Sequence, residues 1–364
     1  MTKTPSLSPI VIYAKADASN LIFGITSTDV TSGNLRSVDI FGGYNSYNNL
    51  VGDAYELSQG AVAGPNVIDG GVEGNNFLVG DAYVLTDHAV GGHNRLHGGD
   101  DAHNLMVGDG YTITGAARGG YNRLVGGANS VNMMKGDGDL LDQGAIGGNN
   151  TLLGGINSDN VLVGDATTLD GIAHGGYNSV EGGDYSTNYL FGDGKLMEGS
   201  STGGHNTILG GAYAFNRIAG DARVMTNSAA GGGNTLIGGA HGTNELYGDA
   251  MTMSEAASGG GNTLIAGYHS TTYMWGTAED QSSVGALAAN TFVFASGDHD
   301  AFMMDFRHGV DLIDLTGVPQ FTNFAELDIT VSHGNSTIHL SGNDYDQLAV
   351  MNDVNLTASD FRFS

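Results

Sequence analysis

Apolar and polar residues alternate along this chain in short bursts, each cut off by glycine, and the bursts return at a fixed interval. Tetrads such as Asn122-Arg-Leu124-Val and Asn132-Met-Met134-Lys have the two-residue period of β-strands. A looser third segment keeps one apolar residue at a constant offset, at Leu57, Leu85, Ile113, Leu141, Leu169, Met197, Met225 and Met253. The doublet Gly-Asp sets the frame at Gly52, Gly80, Gly108, Gly136, Gly164, Gly192, Gly220 and Gly248, always 28 residues apart. Extended to Gly24 and Gly276, the frame covers nine intervals of 28 without an insertion. Such strictness predicts coils stacked on one another, because one extra residue would disturb the stack.

Three short strands per 28 residues predict an all-β fold, a parallel β-solenoid of about ten coils. At ~4.8 Å between neighbouring strands the rod is roughly 45–50 Å long. The expected division is an N-terminal cap over 1–18, the solenoid over 19–278 and a smaller β-rich C-terminal domain over 279–364.

The column Ile68, Leu96, Leu124, Leu152, Val180, Ile208, Leu236, Leu264 is apolar throughout and is expected to point inward. So is Ile22, Leu50, Leu78, Met106, Met134, Leu162, Leu190, Ile218, Leu246, Met274. By parity the asparagines two residues earlier share that inner face. Buried amides need partners, and a stack supplies them. Asn66, Asn94, Asn122, Asn150, Asn178, Asn206, Asn234 and Asn262 predict one ladder, each side-chain oxygen accepting from the amide of the next coil. Asn48 through Asn244 predict a second.

Composition agrees. Sixty-one glycines in 364 residues supply many tight turns, and 40% hydrophobic content supplies a core that a disordered glycine linker lacks. The net charge of −27 excludes the basic patches that nucleic acid requires, disfavours an anionic membrane, and makes divalent cations the natural counterions. With no cysteine the chain forms no disulfide, which suits an extracellular protein. The first twenty residues lack the apolar run of a secretory signal peptide, so export is expected to use another address.

Four columns are candidates for function. The aspartates Asp53, Asp81, Asp109, Asp137, Asp165, Asp193, Asp221 and Asp249 repel one another unless hydrogen-bonded to turn amides, partly protonated, or bridged by calcium; Asp109, Asp137, Asp165 and Asp193 are the candidate ligands. The outward positions of the second strand are unexpectedly apolar: Phe77, Val79, Leu105, Val107, Met133, Val161, Val163, Tyr189, Phe191, Tyr247, Tyr273 and Trp275. Such a strip marks a face for self-association or adsorption, unless intrachain packing covers it. Thr151, Thr207, Thr235 and Thr263, alternating with Leu153, Leu209, Ile237 and Ile265, form a flat face that permits ice binding, although Arg95, Arg123 and His97 break it. Finally His93, Tyr121, Tyr177 and His205 could stack on sugars as a polysaccharide-binding ridge, whereas His93, His97 and His103 have no metal-ligand spacing.

The Gly-Gly and Asn-x-Leu rhythm resembles the RTX repeats of bacterial type I secreted proteins, G-G-x-G-x-D-x-U-x. That resemblance implies calcium in the turns. Here asparagine stands where the family places its calcium-binding aspartate, and Gly-Gly pairs recur after seven residues rather than nine, so stacked amides are the alternative. The segment ANTFVFASGDHDAFMMDFRHGVDLIDLTGV, Ala289 to Val318, is similar to the C-terminal region of serralysin-type RTX proteins, and LTASDFRFS resembles that family's uncleaved secretion signal. This implies export through a type I channel to an extracellular or cell-surface location. Asp300, Asp305 and Asp311 match the family pattern and are expected to bind calcium or to cap turns.

No motif for a nucleophile elbow, zinc site, phosphate loop or dinucleotide fold is present. A solenoid lyase or epimerase acting on polysaccharide would show one coil with a long loop or a charge cluster, and here all coils have equal length. The expected function is therefore a secreted, non-enzymatic structural or adhesive protein, a homo-oligomer or surface assembly with polysaccharide as a further partner. The polysaccharide-modifying enzyme and the ice-binding protein are the alternatives.

Overall fold

The computed structural model describes residues 8–26, 28–282, 284–297, 300–340, 346–352 and 355–364. The chain is all-β and winds as a parallel solenoid of about ten turns. Each coil contributes a strand of three residues (Arg123–Val125), one of five (Val131–Lys135) and one of four (Gly138–Leu141). Like strands stack into three sheets of 13, 14 and 9 strands. The register is one repeat throughout: Leu96, Leu124 and Leu152 are partners in the first sheet, Met106, Met134 and Leu162 in the second, and Ile113, Leu141 and Leu169 in the third.

Each coil has two apolar lobes. The first and second sheets enclose the larger core of Leu124, Met134 and their equivalents. The third sheet packs Leu141 and its equivalents against an alanine column, Ala61, Ala89, Ala117, Ala145, Ala173, Ala229 and Ala257. Between the lobes lies a waist where the Gly-Asp doublet faces the Gly-Gly-x-Asn turn. The backbones approach so closely there that a Cβ on Gly136 would overlap the carbonyl of Gly164 and the side-chain amide of Asn150. At the corner between the first two sheets every coil turns through a left-handed residue, such as Asn129 at φ 51° and Tyr213 at φ 54°.

Both asparagine ladders form, in different ways. In the second, Asn132 Nδ2 donates to Gly127 O (2.9 Å) and to Asn160 Oδ1 (3.0 Å), while its Oδ1 accepts from Gly127 N (3.0 Å) and Asn104 Nδ2 (2.9 Å). Both donors and both acceptor sites of the amide are used. In the first ladder the backbone N–H of Asn122 donates to Asn150 Oδ1 at 3.0 Å, so each oxygen accepts from the preceding coil, opposite to the expected direction. Asn150 Nδ2 then reaches across the waist to Gly164 O and Asp137 Oδ1, both at 3.0 Å.

The expected domain limits differ from the sheets. Residues 1–7 of the expected cap lie outside the described residues, but Ile10–Tyr13 pairs in register with Val38–Phe41 and belongs to the solenoid. At the other end only the third sheet stops near residue 278, with Asp280–Ser282. The first continues through Thr291–Ala295, Leu312–Gly317 and Phe361–Arg362, and the second through Asp300–Met303 and Gln347–Val350 to an antiparallel pair, Asn335–His339 with Asp328–Ser332. The C-terminal region thus extends the rod, because backbone pairing carries across the last coil.

Replacing Asn132 with alanine removes all four of its hydrogen bonds and leaves the Gly127 amide and carbonyl buried without that partner. At about 1–3 kcal/mol for each orphaned buried group, N132A should lose at least about 3 kcal/mol in chemical denaturation. A variant as stable as the parent would contradict the ladder's role.

Candidate interaction surface

The aspartate column is not on the surface. Asp81, Asp109, Asp137, Asp165, Asp193, Asp221 and Asp249 are all 0% exposed, packed in the waist between the two lobes. Each carboxyl accepts from a glycine amide of the facing turn, as Asp109 does from Gly120 N at 2.7 Å and Asp137 from Gly148 N at 2.8 Å. The asparagine of the first ladder adds a second donor to Asp81, Asp137 and Asp193, on alternate coils. One oxygen each of Asp109, Asp165 and Asp221, on the coils between, has no donor from an amide or hydroxyl. Those carboxyls face their aspartate neighbours instead, and after burial the charges of Asp81 and Asp137 raise Asp109 as those of Asp137 and Asp193 raise Asp165.

Buried carboxyls packed in a row favour the protonated form, so part of the column is expected to hold protons at neutral pH. Burial first, and neighbouring aspartates with it, pushes Asp53 up to about 8. Burial pushes Asp81 and Asp249 to about 7 and is the leading cause at Asp109, Asp165, Asp193 and Asp221, all well above the carboxylate range. No lysine, arginine or histidine pairs with this column among the described residues. Amide donors surround the carboxyls, and no three His, Asp or Glu side chains among the described residues gather into a metal cage. This donor set fits shared protons better than a calcium ion, which demands oxygen ligands on all sides.

Asp300, Asp305 and Asp311 do not come together around one point either. Asp300 is exposed at the start of its strand. Asp305 accepts from the backbone of Gly276 and Thr277, capping the last coil's waist, and burial raises it to about 6. Asp311 is buried and accepts from Asn290 N at 2.8 Å while pairing with Arg307, so it ends the first asparagine ladder. Turn capping, one of the two expected roles, is what Asp305 and Asp311 do here.

The apolar strip is largely covered by the chain itself. The third sheet folds back beside the outer face of the second, and in the corner Val79, Val107 and Val163 are fully buried, with Phe191 and Tyr247 nearly so. Tyr83 packs on Phe77 with ring centroids 6.2 Å apart, and Tyr111 meets the same ring edge-on at 5.8 Å. Phe77, Leu105, Val161, Tyr189 and Trp275 are only half-covered. Five of the twelve residues of the expected open strip are therefore core. Outward parity on one strand does not mean exposure when a neighbouring sheet fills the concave corner.

The rings form real columns. His93 sits 4.9 Å from Tyr121, and Tyr177 lies 5.4 Å from His205, stacked. A longer column, unforeseen, runs Tyr185, Tyr213, His241, His269 along the left-handed corner, with centroids 5.1, 4.7 and 5.4 Å apart and planes within 11°. Tyr121 and Tyr177 each stack on one ring only and are more than half exposed, whereas Tyr213 and His241 of the longer column are stacked on both faces. The threonine face of the first sheet is interrupted by exposed Arg95, His97 and Arg123, as the sequence implies.

No protein-family model, curated protein or solved structure matches this chain.

Because the folded carboxyls hold protons that the unfolded chain releases near pH 4, folded protein binds more protons between about pH 4 and 8. Stability should then fall as pH rises through that window. Asp109→Asn supplies a permanent donor in place of the shared proton and should raise the melting temperature at pH 8 relative to the parent, by more than at pH 5. A stability maximum at pH 8, or D109N melting lower there than the parent, would contradict proton sharing.

Proposed function

We propose that the protein is a secreted, non-enzymatic structural protein that associates with copies of itself or with surfaces through features repeated in every coil. The observation that carries this reading is coil-to-coil uniformity. From Gly24 to Gly276 no coil gains a loop and strand register never slips, so no coil carries the inserted loop expected of a solenoid enzyme. An evenly distributed surface suits repeated weak contacts rather than one pocket.

Two features support association. Ten of the fourteen described tyrosines are exposed, among them Tyr44, Tyr121, Tyr177, Tyr185, Tyr213 and Tyr268, and tyrosine is enriched where proteins meet. The N-terminal end is also open: Ile10–Tyr13 and Ser19–Phe23 end the first two sheets, with no strand on their outer edges among the described residues. Tyr13 is 74% and Leu21 66% exposed there. Unpaired strand edges recruit other strands. At the far end the second sheet ends in an antiparallel pair rather than in a parallel coil, so joining like N-terminal edges gives a two-fold dimer.

Export through a type I channel rests on the resemblance of the C-terminal region to serralysin-type RTX proteins, and calcium as a ligand rests on the same resemblance. The terminal Phe361–Arg362 strand is docked on Ile313–Asp314, and Phe361 packs against Phe324 at 5.4 Å.

Light scattering coupled to size exclusion should give a dimer or larger species at micromolar concentration, and Leu21→Lys with Val11→Lys should return it to monomer. A strictly monomeric parent with no adsorption to apolar or polysaccharide beads would sink the adhesive reading. Residues 279–364 fused to a passenger should leave a bacterium that carries a type I exporter. A fusion retained inside the cell would contradict the export route.

A further inference from the structure

Between the outer faces of the second and third sheets, over the coils from Val161 to Met251, a cleft of about 540 Å³ opens. Tyr189 and Phe191 form its wall from the second sheet, and Leu196 and Met251 part of the wall from the third. Lys195 and Arg223 line it as well. The strand pairs Gly194↔Ala222 and Leu196↔Val224 bracket these two cations, so they project from adjacent coils about 5 Å apart.

Nearby cations are neutralised: Lys135 pairs with Asp139, and Arg217 with Glu245. Among the described residues Lys195 and Arg223 have neither an ion pair nor a hydrogen bond. The chain has 39 acidic residues and only 12 lysines and arginines, so acidic partners were abundant. Two like charges side by side against apolar walls are unfavourable unless an anion joins them. Burial, with Lys135 and Arg223 close by, holds the Lys195 ammonium below its ordinary range.

We propose that this cleft binds a small amphiphilic anion, its carboxylate or sulfate head between Lys195 and Arg223 and its apolar chain along Tyr189, Phe191, Leu196 and Met251. The volume is that of a small-molecule site, and the lining has the usual form of apolar walls with a few orienting polar groups. Toward the N-terminus the same corner is filled by Tyr83, Tyr111 and the Lys135–Asp139 pair. That closure favours a short free molecule over a polymer running along the rod. Arginine adds a planar fork that matches a carboxylate or sulfate.

The full chain titrated calorimetrically at pH 7 with sodium decanoate, below its micellar concentration, tests this against sodium acetate and decanol. Decanoate should saturate one site per chain, with acetate and decanol at least tenfold weaker. The double variant Lys195→Gln, Arg223→Gln should lose at least tenfold in affinity while keeping the parent's circular dichroism. If that variant fails to fold, R223Q alone, on an exposed side chain, should show a loss of at least threefold. Decanol binding as tightly as decanoate, unchanged affinity in the folded variants, no saturation below 1 mM, on the order of the weakest specific binding, or tighter occupancy of the cleft by an acidic oligosaccharide would each overturn the proposal.

Discussion

A buried side-chain amide must find two acceptors and two donor partners, and in this protein it finds them only if the next coil places an identical residue one strand spacing away. Asn132 illustrates the constraint: two of its bonds close its own turn at Gly127, and two run to Asn104 and Asn160 on the flanking coils. Any slip in register would strand several amides at once in an apolar interior, each at a cost of about 1–3 kcal/mol. The 28-residue interval is the covalent expression of that demand. Glycine follows from it, since amides can bridge coils only where backbones come closer than a Cβ permits, as at Gly136.

The waist extends the same logic to charge. Carboxyls stacked along an axis would repel, yet here they sit buried with amide donors on one side and each other on the other. Protonation of part of the column turns repulsion into hydrogen bonding and separates two small cores that would otherwise have to merge. The protein thereby builds a two-lobed cross-section from strands of only three to five residues. A single lobe of such short strands would enclose little apolar volume.

Much of the fold was legible because the repeat reports inter-coil contacts directly: the period, the three strands, the inward columns from Leu50 to Met274 and both asparagine ladders can be read from residue spacing. The waist was not, because nothing in Gly-Asp says whether its side chain faces solvent or a second core; the alanine column at Ala61, Ala89 and Ala117 was the available sign. The apolar strip misled for a related reason. Its covering residues, Tyr55, Tyr83 and Tyr111, recur every 28 positions in the third segment, but how far that segment folds back is a tertiary property. Lys195 and Arg223 share that same offset, where the column passes from tyrosine through Asp139 and Thr167 to two cations. Asp305 and Asp311 were placed as candidate ligands, and their capping role depends on where the ladders happen to end.

Deleting Gly120 to Gly147, one whole repeat, against deleting Gly120 to Ile146, one residue fewer, tests the stacking constraint most directly. Circular dichroism and denaturation should show the 28-residue deletion folded and cooperative, with a rod shorter by about one strand spacing, ~4.8 Å. The 27-residue deletion should lose the β-signature or melt far below the parent. Equal tolerance of both deletions, or collapse of the in-register one, would contradict the account.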